Sequence, residues 1–401
     1  PKNKMNVNYQ LTNSMFCDVE NIDVTEDMVH NISEEMRKII KLALKYIIVY
    51  IILILLFIVF LTISSLFPSD WIKENIAESA NILESESNYK QVNVIYKGMI
   101  IPFDNYTDVL MLNTAYSIDN ARPLYSAFTA RKNYIPGVTK TVIEETAGEL
   151  GFSSKYEERN QVGELKDTVN GRVLESFEYG RYWHGYLTII RPLLILFNIH
   201  TIRVIFIILF VALAAILLYL IYKKINLITA VIFLLGLTYV EYFYIGFSLQ
   251  GSFLFFIMMI SSIILLKRYE KIKSFPFVFF IIGMITNFFD FLTVPILTLG
   301  VPMLLYFLLK NKEQELSIKE YILKIASLSI AWGMGYALTW LAKWTLLDFI
   351  YHNNIFDVVF NQISYRTVGE GDISFLDVIK LNYSIGISVC ILSIIKFNKK
   401  V

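Results

Sequence analysis

Two arginines and a histidine stand among aromatics in the stretch EYGRYWHGYLTIIRPLL, residues 178–194. Arg181 and Arg191 carry planar donor forks that suit a phosphate. His184 can donate to a phosphate or move a proton, although a lone histidine is as readily structural. Arg366, in YRTVGEGD, is the one Lys or Arg between 348 and 377 and joins this group. The competing reading is anchoring, in which Tyr179, Tyr182, Trp183 and Tyr186 form an interfacial aromatic belt and the arginines hold the segment among lipid headgroups.

Carboxylates supply the other half of the chemistry. Asp108, in PFDNYTDVLML, opens a stretch whose other face is Leu110, Met111 and Leu112, and Asp104 lies four residues earlier. Both read either as helix-start acids favoured by the macrodipole or as a general base held at a water–lipid boundary. Asp290, in TNFFDFLTVP, stands among phenylalanines at the end of an apolar run. A charge at membrane depth faces a cavity or a partner, so a site role, an ion pair and an interfacial position all remain open. Glu241, in YVEYFYIGFSLQG, lies nearer the middle of such a run, as a hydrogen-bonded bundle residue or a polar group in a cavity. NYT at 105–107 also fits a glycosylation acceptor, a weak pattern. Cys17 and Cys390 lie far apart without metal-ligand spacing, and neither a nucleophile elbow nor a phosphate-binding glycine loop occurs.

The elements that must position these residues are membrane spans. Of 401 residues, 55% are hydrophobic and 18% charged, with mean hydropathy +0.53; soluble domains carry about 25% charged residues. Eight apolar runs, near 42–66, 202–222, 226–246, 249–266, 276–293, 295–309, 321–346 and 379–396, approach the roughly 20 residues that cross a bilayer. The connections KK (223–224), KRYEKIK (267–273), KNKEQELSIKE (310–320) and the terminal KFNKK (396–400) together hold twelve Lys or Arg against four acids. Residues 67–186 hold twelve against seventeen. The positive-inside rule then places those basic segments and both termini in the cytoplasm, and 67–186 outside. The net charge of +1 says nothing about nucleic acid, and no such partner is expected.

The expected fold is all-α, a polytopic transmembrane helix bundle of about eight spans with a large helical extracytoplasmic loop after the first. Its parts are a cytoplasmic tail (1–41), the first span (42–66), the helical loop subdomain (67–186), the bundle (187–346), a second outer loop (347–378), and a last span with a cytoplasmic end (379–401). Within the large loop, helices are expected at 70–87, at 107–119 with Thr107 as N-cap, at 122–134 opening on Pro123, and at 138–151 ending on Gly148 or Gly151. The first span is too long for the apolar core of a cleaved signal peptide. The start at Pro1 reads as a processed or added end, and the stop at Val401 leaves room for truncation.

This layout resembles the GT-C superfamily of polytopic glycosyltransferases, which take sugars from polyprenyl-phosphate carriers on the outer leaflet. The features that carry the likeness are the cytoplasmic N-terminus, one span, a large helical outer loop bearing acidic residues, and a bundle with short connections. RYWHGYLTIIRPLLILFN after the loop is also similar in character to segments of bacterial members. The resemblance implies an enzyme of the bacterial plasma membrane, without cofactor or metal, that moves a sugar from a lipid-linked donor to a cell-envelope glycan or other outer acceptor. Asp108, then Asp104, then Asp290 would serve as base, and Arg181, His184, Arg191 and Arg366 would hold the donor phosphate, with Glu241 polar in a cavity. One displacement inverts the anomeric centre, and retention needs a second carboxylate. On one continuous helix the two arginines would sit about 15 Å apart along the axis and about 80° apart around it, so they converge only if Gly185 or Pro192 bends the segment. Two other classes stay open: a lipid or polysaccharide transporter using Glu241 and Asp290 as ion-coupled sites, and a non-catalytic envelope assembly subunit. Sugar, acceptor and oligomeric state are not legible.

Overall fold

The computed structural model describes residues 26–86, 90–93, 100–103, 105–134, 139–141, 157–159, 161–172, 175–352 and 354–368. Two compact units divide the chain, Pro1–Leu56 and Phe57–Val401. The described part of the first is helical, the opening length of α1 (Glu26–Leu66). No charged residue occurs between Tyr46 and Leu66, so nothing interrupts that helix within an apolar solvent.

In the second unit a 3-10 turn (Ser69–Ile72) leads into α2 (Lys73–Glu86), the paired strands β1 (Lys90–Asn93) and β2 (Ile100–Phe103), α3 (Asn105–Tyr116) and α4 (Pro123–Thr129). Then come β3 (Lys132–Tyr134), β4 (Thr139–Thr141), β5 (Glu157–Arg159), α5 (Gln161–Val169) and β6 (Glu175–Phe177), with β3 antiparallel to β6 and β4 to β5. Ile72, Ile76, Ala80 and Leu83 recur at helical spacing and are buried, packing α2 against α3 and α5. Three expectations are corrected here. α3 begins at Asn105, which puts Thr107 inside the helix and not at its N-cap. The helix expected over 122–134 stops at Thr129, because Ala130 turns into the left-handed region at φ 45° and β3 follows. The helix expected over 138–151 begins as strand β4, whose alternating threonines suit a pleated ladder; its remainder lies outside the described residues.

The following helices are α6 (Leu187–Leu196), α7 (Ile199–Lys224), α8 (Leu227–Tyr239), α9 (Leu249–Arg268), α10 (Phe275–Phe289), α11 (Leu297–Glu313), α12 (Ile318–Tyr351) and α13 (Ile355–Val368). Side-chain caps set the starts of α7, α8, α9 and α10: Asn198 accepts from Thr201 N, Asn226 from Thr229 N, Ser248 from Gly251 N and Ser274 from Phe277 N. Ser317 and Glu320 cap α12 reciprocally. Among the described residues four helices are long and apolar enough to cross a membrane: Met36–Leu66, Ile199–Lys224, Leu249–Lys271 and Ile318–Tyr351. The stretch expected to span 226–246 is broken, since α8 has 13 residues, about 20 Å of helix against a hydrocarbon core of about 30 Å. Glu241, at φ 55°, turns the chain there into a 3-10 segment, Tyr242–Phe247. α10 and α11 have 15 and 17 residues, and the expected last span, 379–396, lies outside the described residues.

α10 and α12 make the closest helix pair. A Cβ at Gly283 would meet Trp332 O at 2.1 Å, and one at Gly335 would meet Phe280 O at 2.1 Å. Only residues without a side chain let two backbones touch this way.

Candidate functional site

Residues 178–186 form no regular element, yet almost every one is fixed. Tyr179 N donates to Thr129 O (2.8 Å), Gly185 N to Phe288 O (2.9 Å) and Trp183 Nε1 to Thr339 O (2.9 Å). Trp340 and Trp344, one turn apart on α12, both donate their indole N–H to Arg181 O at 3.0 Å. Lys343, fully buried on the same helix, donates to Ala127 O (3.2 Å) and Phe128 O (2.6 Å) in the last turn of α4. One face of α12 thus holds both α4 and the segment that follows β6. The aromatic-belt expectation is corrected by this packing. Tyr182, Trp183 and Tyr186 are buried within the protein, because ring stacking and N–H or O–H partners inside offer more than an interface does.

Beside this segment lies a cavity of about 430 Å³. Tyr106 and Leu110 of α3 form one wall, Lys132 and Phe177 of the β3–β6 pair another, and Ile355 and Val358 of α13 a third. Glu178, Tyr179, Gly180 and Arg181 close it. The Arg181 guanidinium lies over the rings of Tyr179 (4.7 Å) and Tyr182 (5.2 Å) and donates to Tyr179 Oη at 3.0 Å. Lys132 is buried and donates to Gln161 Oε1 (2.5 Å) and Glu164 Oε2 (2.7 Å). Glu178 is exposed and accepts from Tyr125 Oη. The cavity therefore combines a stacked arginine, an exposed carboxylate and aromatic faces.

The other expected site residues are distributed elsewhere. Asp108 is completely buried. Its Oδ2 accepts from Arg203 Nη2 (3.0 Å) and its Oδ1 from Leu249 N (2.9 Å). Arg203 also donates to Glu86 Oε2 (2.8 Å) and Asn105 Oδ1 (2.9 Å). The carboxylate thus joins the ends of α2 and α3 to α7 and caps α9, and the acid favoured by a helix start stabilises the start of a different helix. With both oxygens engaged and no exposure, it offers an acceptor hydroxyl no opening. Tyr106 and Leu110, two residues either side, are the α3 positions that reach the cavity. Asp104 lies outside the described residues. Arg366 falls in α13, with its side chain outside them.

Arg191 is fully buried, which corrects its assignment to a ligand phosphate. Its Nε donates to Ser64 O (3.0 Å), and its two terminal nitrogens donate to Ala115 O and Phe67 O. These carbonyls belong to the ends of α1 and α3, where no helical N–H remains to meet them. His184 sits at φ 58° with Nε2 against Tyr179 O at 2.8 Å. Burial, together with the nearby positive charges of Lys343 and Arg181, pushes its pKa down to about 3. With its one N–H on Tyr179 O and the ring neutral at physiological pH, His184 has neither a charge nor a second N–H to offer a phosphate, and that part of the expectation is corrected too. Glu241 is half-buried at the break after α8 and not inside a helix. Asp290 caps the end of α10 and is buried.

Lys132, Glu178 and Tyr106 were not singled out in the sequence. They come from three segments far apart in the chain, and no local pattern marks them. No protein-family model matches the chain, and no curated protein or solved structure does either.

Proposed function

We propose that the chain is an integral-membrane glycosyltransferase of GT-C type, transferring a sugar from a polyprenyl-phosphate donor to a cell-envelope acceptor. In this reading the eight apolar runs all enter the bilayer, both termini are cytoplasmic and the cavity opens on the outer face. The observation that carries it is the juxtaposition of Arg181 and Glu178 in one aromatic-walled cavity. An arginine stacked on tyrosines is held ready for a charge-assisted bond to phosphate. Aromatic faces such as Tyr106 and Phe177 suit the apolar side of a sugar ring. The acceptor oxygen forms a bond to the anomeric carbon as the carbon–oxygen bond to phosphate breaks. Its proton passes to Glu178, and the polyprenyl phosphate departs against Arg181. This moves the base from Asp108 to a carboxylate that a substrate can reach.

Mass spectrometry of the purified chain should find a co-purified polyprenyl phosphate, in an amount that Arg181→Ala reduces. A chain that carries none, and binds no added short-chain polyprenyl phosphate, defeats the proposal. With a donor that turns over, Glu178→Gln should lower turnover by about 100-fold while lipid binding survives. Near-normal turnover would remove Glu178 from the base role.

A further inference from the structure

Asp290 is a buried carboxylate satisfied by neutral donors. Its Oδ1 accepts from Thr293 N (3.0 Å) and Thr293 Oγ1 (3.1 Å), and its Oδ2 accepts from Tyr336 Oη (2.6 Å). Among the described residues no lysine, arginine or histidine pairs with it. It is also the C-cap of α10, where the helix end adds about half a negative charge. One turn back on the same helix, Asn287 is 3% exposed and its Oδ1 has no hydrogen-bond partner among the described residues. The Asn287 side chain also reaches the Tyr336 hydroxyl. Asp290, Tyr336 and Asn287 therefore meet where α10 ends against α12, and the buried Asn287 Oδ1 is left without a hydrogen-bond partner among the described residues.

The carboxylate, the helix end and the unpaired amide oxygen favour positive charge, and among the described residues no cationic side chain pairs with the carboxylate. A buried carboxylate without a cation is costly, and an orphan acceptor beside it adds to the cost. The chemistry that remains is a bound cation. Among the described residues no three of His, Cys, Asp or Glu gather as they would for a transition metal. An oxygen-only set suits a hard cation, and a single carboxylate with neutral oxygens balances one charge, not two. We propose that Asp290, Asn287 and Tyr336 bind a monovalent alkali-metal cation that ties the end of α10 to α12. This site is separate from the cavity and stands whether or not the transferase reading does.

The test is the unfolding temperature of the full chain in detergent, measured in NaCl, KCl or choline chloride at one ionic strength. Sodium or potassium should raise it saturably above choline. Asp290→Asn and Asn287→Leu should each abolish that difference. Tyr336→Phe, which removes a group orienting the carboxylate, should raise the half-saturating concentration by about 10- to 100-fold. Should Asp290→Asn fail to fold, Asn287→Leu and Tyr336→Phe decide the matter alone. Equal temperatures in all three salts overturn the proposal. So does an alkali-metal effect that persists unchanged in Asn287→Leu and Tyr336→Phe, or stabilisation by acid with no dependence on the cation.

Discussion

At one end of the segment 181–191 a guanidinium lies across two tyrosine rings in the wall of a cavity. At the other end a guanidinium is enclosed, its three nitrogens donating to carbonyls of Ser64, Phe67 and Ala115. Ten residues separate the two, and their chemistry is the same. What differs is what surrounds them. Helix ends that converge in an apolar interior demand donors, and an arginine placed there is wholly occupied. A strand-to-helix crossing that leaves space beside it holds its arginine by stacking on two tyrosine rings, which orients the group in the cavity wall. The lesson is that residue type marks a candidate, while the supply of nearby acceptors decides whether it serves the fold or a ligand.

The enclosed kind of cation should produce the largest effects. Arg203→Met takes their shared cation from the buried Asp108 and the partly buried Glu86. Stability should fall by about 3–5 kcal/mol, read from denaturant unfolding in detergent. A loss under about 1 kcal/mol would show that enclosure does not make a cation structural here. Arg191→Met orphans Ser64 O and Ala115 O, while Phe67 O keeps its bond from Asn120. The expected cost is roughly 3 kcal/mol, from two unmatched buried acceptors.

His184 lies between Arg181 and Arg191 in sequence and tests whether its surroundings are as closed as Arg191's. The unfolded chain takes up a proton at this residue near pH 6.5, whereas the folded chain refuses it until about pH 3. Stability should therefore fall as pH drops below 6.5, by about 2 kcal/mol between pH 7.5 and 5. His184→Gln should flatten that slope, and an unchanged slope would mean that the ring is open to water. The smallest stability effect is expected at Arg181→Lys, under about 1 kcal/mol, as for a partly exposed cation. The same substitution should weaken binding of a short-chain polyprenyl phosphate by about tenfold, since lysine lacks the stacked fork. A stability loss as large as that of Arg191→Met would erase the contrast.

Long apolar elements were legible because their signal is local. The run 202–222 falls within α7, 249–266 within α9, and the helix expected over 70–87 is matched by α2 with its leading 3-10 turn. Pro123 does open a helix. The strands were not legible, since three-residue ladders such as Lys132–Tyr134 with Glu175–Phe177 depend on a partner more than forty residues away. The break at Glu241 escaped because hydropathy is indifferent to one left-handed residue in an apolar run. In the site, the segment 178–194 drew attention by its residue types, yet which of its cations faces a cavity depends on carbonyls 76 to 127 residues distant. Arg203 was invisible for a similar reason. Inside an apolar run it reads as a boundary residue, and its carboxylate partners lie 95 and 117 residues back.

The Arg191 contacts also impose an order on biosynthesis. A nascent chain that has emerged only as far as α5 carries the ends of α1 and α3 with carbonyls at Ser64 and Ala115 still waiting for their donor. Those ends can reach their final arrangement only when α6 arrives. The first span, although made first, is therefore completed by a residue translated 127 positions after Ser64, and a ribosome stalled in between would present the membrane with an unfinished helix end.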